Sequence, residues 1–286
     1  MSRTLILDFD GSVESMPGSE TIPLGGSQET IRFGCRKRVL RELSAELAPS
    51  LDPRPDIVFM GSGDYHHVSY LLIDRLRQLG TRIQVVVFDN HPDNMRYPFG
   101  IHCGSWVRHV SRLPFVTRVH VAGIASADVE GGRLWENYLG PLYSGKVVYY
   151  CVNRNLAAMR RIGILTCRSF ASIAAMLEGL SAALGNTSEP IYLSLDKDVL
   201  STQVVQTNWD QGVMQLDELT SAIRMLQERI IGSDVVGDAS SYRFRAPFKR
   251  FLSGLDRRPN IPESALADWQ ARHLQVNRQL RSLLSR

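Results

Sequence analysis

Short runs of branched and apolar residues recur along the chain at residues 4–7, 56–60, 83–88, 118–123, 146–152, 191–195 and 234–236. Each is too short for a helix and apolar without alternation, the pattern of a strand covered on both faces. Between them lie stretches in which apolar positions return every three or four residues: 31–46, 67–79, 170–184, 216–230 and 263–284. Strands of this kind alternating with helices predict a three-layer α/β/α fold around a mainly parallel central sheet. In such sheets ligands gather beyond the carboxyl ends of the strands. The residues that follow each apolar run are therefore the first place to look for chemistry.

The pattern shows no repeat and no low-complexity linker, which predicts one domain over residues 1–286. Stretches 11–28, 201–212 and 240–262 have the Gly, Ser, Pro and Arg content of long loops, and such loops on a strand-end rim often wall a site. The last helical stretch, 263–284, sets Leu266, Trp269, His273, Val276, Leu280 and Leu283 at steps of three and four. This apolar seam is expected either to pack on its own domain or to form a subunit contact in a homo-oligomer.

Composition narrows the class. A hydrophobic fraction of 44% and a charged fraction of 22% are ordinary for a soluble domain with a sizeable core. The net charge is +4, but the basic residues are scattered and lack interleaved aromatics, so no nucleic-acid partner is expected. No run approaches the roughly 20 apolar residues of a membrane span, and residues 1–8 lead into a strand without a signal-like segment. A cytoplasmic location is the default expectation. Cys35, Cys103, Cys151 and Cys167 have no Cys-x-x-Cys spacing, which argues against a thiolate zinc site and a disulfide framework.

The chemistry lies after three of the apolar runs. In Val85-Val-Val-Phe-Asp89-Asn-His91-Pro-Asp93-Asn94, an extended chain would project Asp89, His91 and Asp93 to one side. Two carboxylates and an imidazole suit a hard or borderline divalent cation such as Mn²⁺. In Ile191-Tyr-Leu-Ser194-Leu-Asp196-Lys-Asp198, two more carboxylates alternate. Without a cation between them one would be forced to take a proton. Lys197, between them in sequence, should point to the opposite face. The third run ends Gly61-Ser-Gly-Asp64-Tyr-His66-His67, a glycine turn that sets two adjacent histidines near a helix start.

Taken in order, Gly63-Asp64-Tyr65-His66, Asp89-Asn-His91-Pro-Asp93 and Ser194-Leu-Asp196-Lys-Asp198 resemble the Gly-Gly-Asp-His, Asp-Ala-His-x-Asp and Ser-x-Asp-x-Asp motifs of the arginase–agmatinase (ureohydrolase) superfamily. The resemblance spans most of the chain. It implies an arginase-like fold, two Mn²⁺ per chain, a small-molecule substrate, and hydrolysis of a linear C–N bond by a hydroxide bridging the metals. It also implies that His66, Asp89, Asp93 and Asp196 hold one metal, and His91, Asp89, Asp196 and Asp198 the other. A one-residue shift in the longer turn would select His67 in place of His66. By the same resemblance Asp198 carries a proton, and His102, in Gly100-Ile-His102-Cys-Gly-Ser105, shuttles one to the leaving amine.

The chain departs from that family on the substrate side. Its third motif runs on into Thr207-Asn-Trp-Asp-Gln-Gly212, where the family has a Gly-Thr-Pro turn. The glutamate that pairs with a guanidinium group is replaced by Gly237 in Ser233-Asp-Val-Val-Gly237-Asp238. Asp238, one step on, and Asn94 are the candidate substrate contacts. Two other readings remain at this level. Leu7-Asp8-Phe-Asp10-Gly11 is similar to the Asp-x-Asp-Gly opening of haloacid-dehalogenase-type phosphatases, which need Mg²⁺. The other is a non-catalytic scaffold or binding protein with the same fold, although a scaffold gains nothing from clustered carboxylates.

Overall fold

The computed structural model describes residues 3–51, 57–255 and 261–285. Eleven strands are placed among them: β1 (Thr4–Asp8), β2 (Ser19–Pro23), β3 (Gly34–Cys35), β4 (Ile57–Phe59), β5 (Ile83–Phe88), β6 (Ile101–His102), β7 (Val116–Ile124), β8 (Val147–Val152), β9 (Cys167–Phe170), β10 (Ile191–Asp196) and β11 (Ile230–Val236). Nine of them form one parallel sheet in the order β2-β1-β4-β11-β10-β5-β7-β8-β9. β3 and β6 pair separately and antiparallel.

Side chains alternate across the sheet into two apolar layers. Val85, Val87, Val119 and Val121 enter one, where Lys37–Leu47, Ser69–Arg75 and Trp106–Ser111 cover them. Val86, Phe88, Leu193 and Leu195 enter the other, beneath Ile173–Leu184, Leu216–Leu226 and Glu263–Leu284. This is the three-layer α/β/α arrangement. No helix among the described residues is long and apolar enough to cross a membrane.

The expected strands all appear, with ends shifted by a few residues; Asp56, at the head of run 56–60, lies outside the described residues, as do 256–260 of the loop 240–262. β2 arises within the stretch expected as a loop, and β9 in residues without an expected element leading into the helical stretch 170–184. The helix expected over 31–46 begins only at Lys37. Before it, Phe33 adopts a positive φ of 71° and Gly34 lies against Ile101 and His102, where a Cβ would meet the Ile101 carbonyl at 3.0 Å. That pairing of β3 with β6 overrides helical periodicity.

The C-terminal helix packs on its own domain through His273, Val276, Asn277, Leu280 and Leu284. Leu266 and Trp269 at its start remain half-buried. Its polar anchor is a buried ion pair: Lys197 Nζ lies 2.6 Å from Asp238 Oδ2 and donates to Asn277 Oδ1 at 2.7 Å. Lys197 thus points away from its neighbours Asp196 and Asp198.

The same apolar layer holds a pH-sensitive element. His120 is fully buried between the Tyr150 hydroxyl at 3.0 Å and Gln84 Oε1 at 2.8 Å. Burial first, then Arg118, Arg229 and Arg168, pull its pKa down to about 3. An unfolded histidine takes a proton near pH ~6.5. Between these values the unfolded chain binds more protons than the folded one, so His120 stabilises the fold above ~6.5 and that contribution is lost as pH falls toward 3. Urea denaturation from pH 7 to 4 should show stability falling, and His120→Gln should remove up to about 1.4 kcal/mol per pH unit of that slope. An unchanged slope would show that His120 is protonated in the folded protein.

Candidate metal centre

The sheet order explains why distant motifs meet. β4, β11, β10 and β5 are consecutive neighbours, so their carboxyl ends form one continuous rim. His66 follows β4, Gly237 follows β11, Asp196 and Asp198 close β10, and Asp89, His91 and Asp93 follow β5. The chain leaves β4 through Gly61 at φ 82° into a short 3₁₀ helix, Gly63–Val68, that carries His66 inward. Asp93 itself sits at φ 45°.

His66 Nδ1 faces Asp93 Oδ2 at 3.0 Å, Asp89 Oδ2 at 3.2 Å and Asp196 Oδ2 at 3.4 Å. His91 Nδ1 faces Asp198 Oδ2 at 2.9 Å and Asp89 Oδ1 at 3.6 Å. Ligand atoms held about 2.1 Å from one ion lie roughly 3.0–3.4 Å from each other at octahedral to tetrahedral angles. Both groups are close to that spacing. Asp89 belongs to both, one oxygen to each. Asp196 presents Oδ2 to the first group, while its Oδ1 accepts from the Asp198 backbone N–H at 3.0 Å.

The hydrogen bonds behind the histidines decide which nitrogen faces inward. The Ser194 hydroxyl donates to Asp234 Oδ1 at 2.7 Å, so at 2.9 Å from His66 Nε2 it accepts. His66 Nε2 then carries the hydrogen and Nδ1 offers its lone pair. His91 Nε2 meets Asp210 Oδ1 at 2.8 Å, and a carboxylate can only accept there, so His91 Nδ1 is also free to ligate. Trp106 Nε1 donates to Asp93 Oδ2 at 2.6 Å and holds that carboxylate in place.

The cluster is electrostatically incomplete as bare protein. Burial and the Asp89 charge push Asp93 up to about 7; burial drives Asp196 up to about 6, Asp89 adding to it. Asp198 is pushed well above the usual carboxylate range by burial and by Asp196 and Asp89. Burial works against charge on the histidines too, yet the neighbouring acids, Asp89 and Asp93 for His66 and Asp198 for His91, raise both well above 6.5. The buried atoms His66 Nδ1 and Asp89 Oδ2 have no hydrogen-bond partner. Divalent cations would satisfy both atoms and neutralise the acids, so the donor set fits a two-metal site.

Other expected site residues fall elsewhere. His67 is buried with neither ring nitrogen hydrogen-bonded, burial pulls it down to about 3, and it belongs to neither three-group cluster. His102 is also outside both clusters: its Nδ1 accepts from the Gly104 N–H at 2.9 Å, and its ring stacks on Tyr97. The substrate contacts proposed for Asp238 and Asn94 do not fit their positions. Asp238 is fully buried and spent on Lys197 and Asn277, since the chain turns at Gly237, φ 94°, just past the end of β11. Asn94 is buried and donates to the Tyr138 carbonyl and the Tyr149 hydroxyl. The phosphatase reading also loses its acids: Asp8 caps the Gly11 N–H, and Asp10 pairs with buried Arg32 at 3.3 Å and accepts from Ser240.

Asp210 is the functional candidate that sequence reasoning passed over. Its only signal was the changed segment after the third motif. Asp210→Asn should weaken Mn²⁺ binding by about 10–100-fold, the usual cost of losing an outer carboxylate partner. A Mn²⁺ titration showing wild-type affinity would rule out that orienting role.

The family model for the arginase family matches residues 18–245. The chain belongs to the arginase family. An uncharacterized protein of Thermotoga maritima is 26% identical over 242 residues, covering 84% of this chain and 81% of its own. Among solved structures, a putative agmatinase from Clostridium difficile is similar with a TM-score of 0.57 at 14% identity, over 99% of this chain and 97% of that one. The agmatine ureohydrolase of Thermoplasma volcanium gives 0.55 at 12%, over 99% and 90%. Formimidoylglutamase from Bacillus subtilis gives 0.50 at 17%; 87% of this chain is covered, but only 66% of that enzyme. These likenesses concern the fold.

Proposed function

We propose that the protein is a two-metal hydrolase of linear C–N bonds in amidines, guanidines or amides. The observation that carries this reading is the pair of clusters sharing Asp89, each with a histidine whose inward nitrogen is fixed as a lone-pair donor. His66, Asp89, Asp93 and Asp196 would hold one ion, and Asp89, His91 and Asp198 the other, with Asp196 at their border. The carboxylate-rich set favours Mn²⁺. Two such ions, when bound, polarise the reacting carbon and acidify water.

The chain's own residues then do the rest. Asp198, whose Oδ2 lies 2.9 Å from His91 Nδ1, would take the proton lost by attacking water and pass it to the leaving nitrogen. Ser194 and Asp210 hold the two imidazoles in the ligating tautomer. A guanidinium clamp at the rim between β4 and β10 is absent, because Gly237 stands there.

Metal analysis of purified protein should find about two Mn²⁺ per chain, the number a two-metal mechanism requires. Urea and ammonia release is then measured across guanidino acids, agmatine-like amines, formimino compounds and simple amides. Stable protein that excludes Mn²⁺ would sink the reading.

A further inference from the structure

Among the candidate ligands, His91 is the most exposed, at 16% of its side chain, against 1–8% for the others. Whatever reaches the centre must therefore pass beside His91. Trp209 stands there, its ring centroid 6.0 Å from that of His91. The indole also closes over Gly63: a Cβ on that glycine would lie 2.9 Å from Asp196 Oδ2 and 3.2 Å from Trp209 Cδ1. Trp209 is thus within a methyl group's width of the pocket floor.

From Trp209 a series of ring contacts runs outward. Phe33 lies nearly parallel to it, 6° apart in plane and 6.5 Å between centroids. Phe33 meets His102 at 4.3 Å, His102 meets Tyr97 at 4.9 Å, and Tyr97 meets the exposed Phe99 at 5.6 Å. The loop bearing Trp209 is built in advance. Gly212 N–H donates to the Asp198 carbonyl, Asn90 Nδ2 to the Asp210 carbonyl, and Asn208 Nδ2 to the Ser240 carbonyl. A wall already ordered loses little entropy when a ligand packs on it.

The charges beside this wall disfavour an acid. Asp210, 64% exposed, adjoins Trp209. The basic side chains that pack on neighbouring rings are committed: Arg32 to Asp64 and Asp10, and Lys249 Nζ to the carbonyls of Glu29, Thr30 and Arg32.

We propose that Trp209, backed by the buried Phe33, selects a substrate whose hydrolysable C–N group carries an apolar, ring-bearing substituent and no carboxylate. This rests on the two-metal hydrolase reading and narrows it to aryl or aryl-alkyl amides and amidines, away from guanidino acids. Flat rings gain from stacking beyond their buried area, and an amino-acid carboxylate would meet the like charge of Asp210 beside the wall.

The test uses metal-chelating probes on Mn²⁺-loaded protein, with metal content measured first. Benzohydroxamate should bind about tenfold more tightly than acetohydroxamate by calorimetry, a difference typical of one added aromatic contact. Succinic monohydroxamate should do no better than acetohydroxamate. Trp209→Ala should bring the aryl preference down to about threefold or less, while Trp209→Phe keeps most of it. Equal binding of aryl and methyl probes to the loaded wild type overturns the wall and leaves the metal centre standing. So does an aryl preference that survives Trp209→Ala. Protein that takes up no Mn²⁺ overturns both.

Discussion

Asp89→Asn is expected to yield folded protein that holds less than one Mn²⁺ per chain and has lost hydrolysis by on the order of 10³-fold or more. The size follows from geometry. Asp89 Oδ2 serves the group around His66 and Oδ1 the group around His91, so one change removes a ligand from both. An amide oxygen still accepts, but the amide nitrogen presents hydrogens to one cation and no charge remains to offset either. Loss of an ion that serves as a Lewis acid is worth several kcal/mol of barrier. Circular dichroism and metal analysis separate this result from simple unfolding. Asp8→Asn is the contrast, since Asp8 does no more than accept from Gly11 at a turn, and its activity should be close to wild type. Retention of both ions by Asp89→Asn would mean that the carboxylate does not bridge.

The second large effect concerns the position where guanidinium-cleaving relatives are expected to carry an acid. Gly237→Glu should not create arginine or agmatine hydrolysis; it should destabilise the protein by about 2–5 kcal/mol. Gly237 has φ 94°, and a Cβ there would lie 2.5 Å from Asp196 Oδ1 and 2.7 Å from the Lys197 backbone nitrogen. The obstruction begins at the first side-chain carbon, so Gly237→Ala should lose nearly as much. Urea denaturation measures both. A Gly237→Glu variant with wild-type stability would show that β10 and β11 can separate, and would reopen a guanidinium clamp at that site.

The two variants meet at Asp196, which lies between Gly63 and Gly237. Both glycines leave room for its carboxylate: a Cβ at either would come within 3 Å of one of its oxygens. That close packing keeps Asp196 aimed at His66. We accordingly assign substrate recognition to the segment after β10. At Gly237 the rim beside β11 has no space for a side chain.

The sheet and the acids were readable in the chain because both are local. An unbroken run such as Val85-Val-Val-Phe is a buried strand wherever it lies, and the carboxylates follow within a few residues of its end. The resemblance to arginase-family motifs added the pairing of segments. Long-range packing settled the rest. His66 was separated from His67 by the pitch of one 3₁₀ turn, a difference no periodicity resolves. Asp238 looked available until β11 was seen to hand it to Lys197 beneath the C-terminal helix.

Side-chain identity and position at the strand ends thus account for where the carboxylates cluster and for the metals they suit. Tertiary structure decided which nitrogen of each histidine faces inward, that Asp210 supports His91, and that Phe33 stacks toward Trp209 from the far end of the chain. Those contacts join residues more than 100 positions apart, and their directions depend on backbone turns at Phe33, Gly61 and Asp93 that local propensity does not specify. Ligand chemistry is carried by residue type, whereas selectivity is carried by orientation, and orientation exists only once the chain is packed.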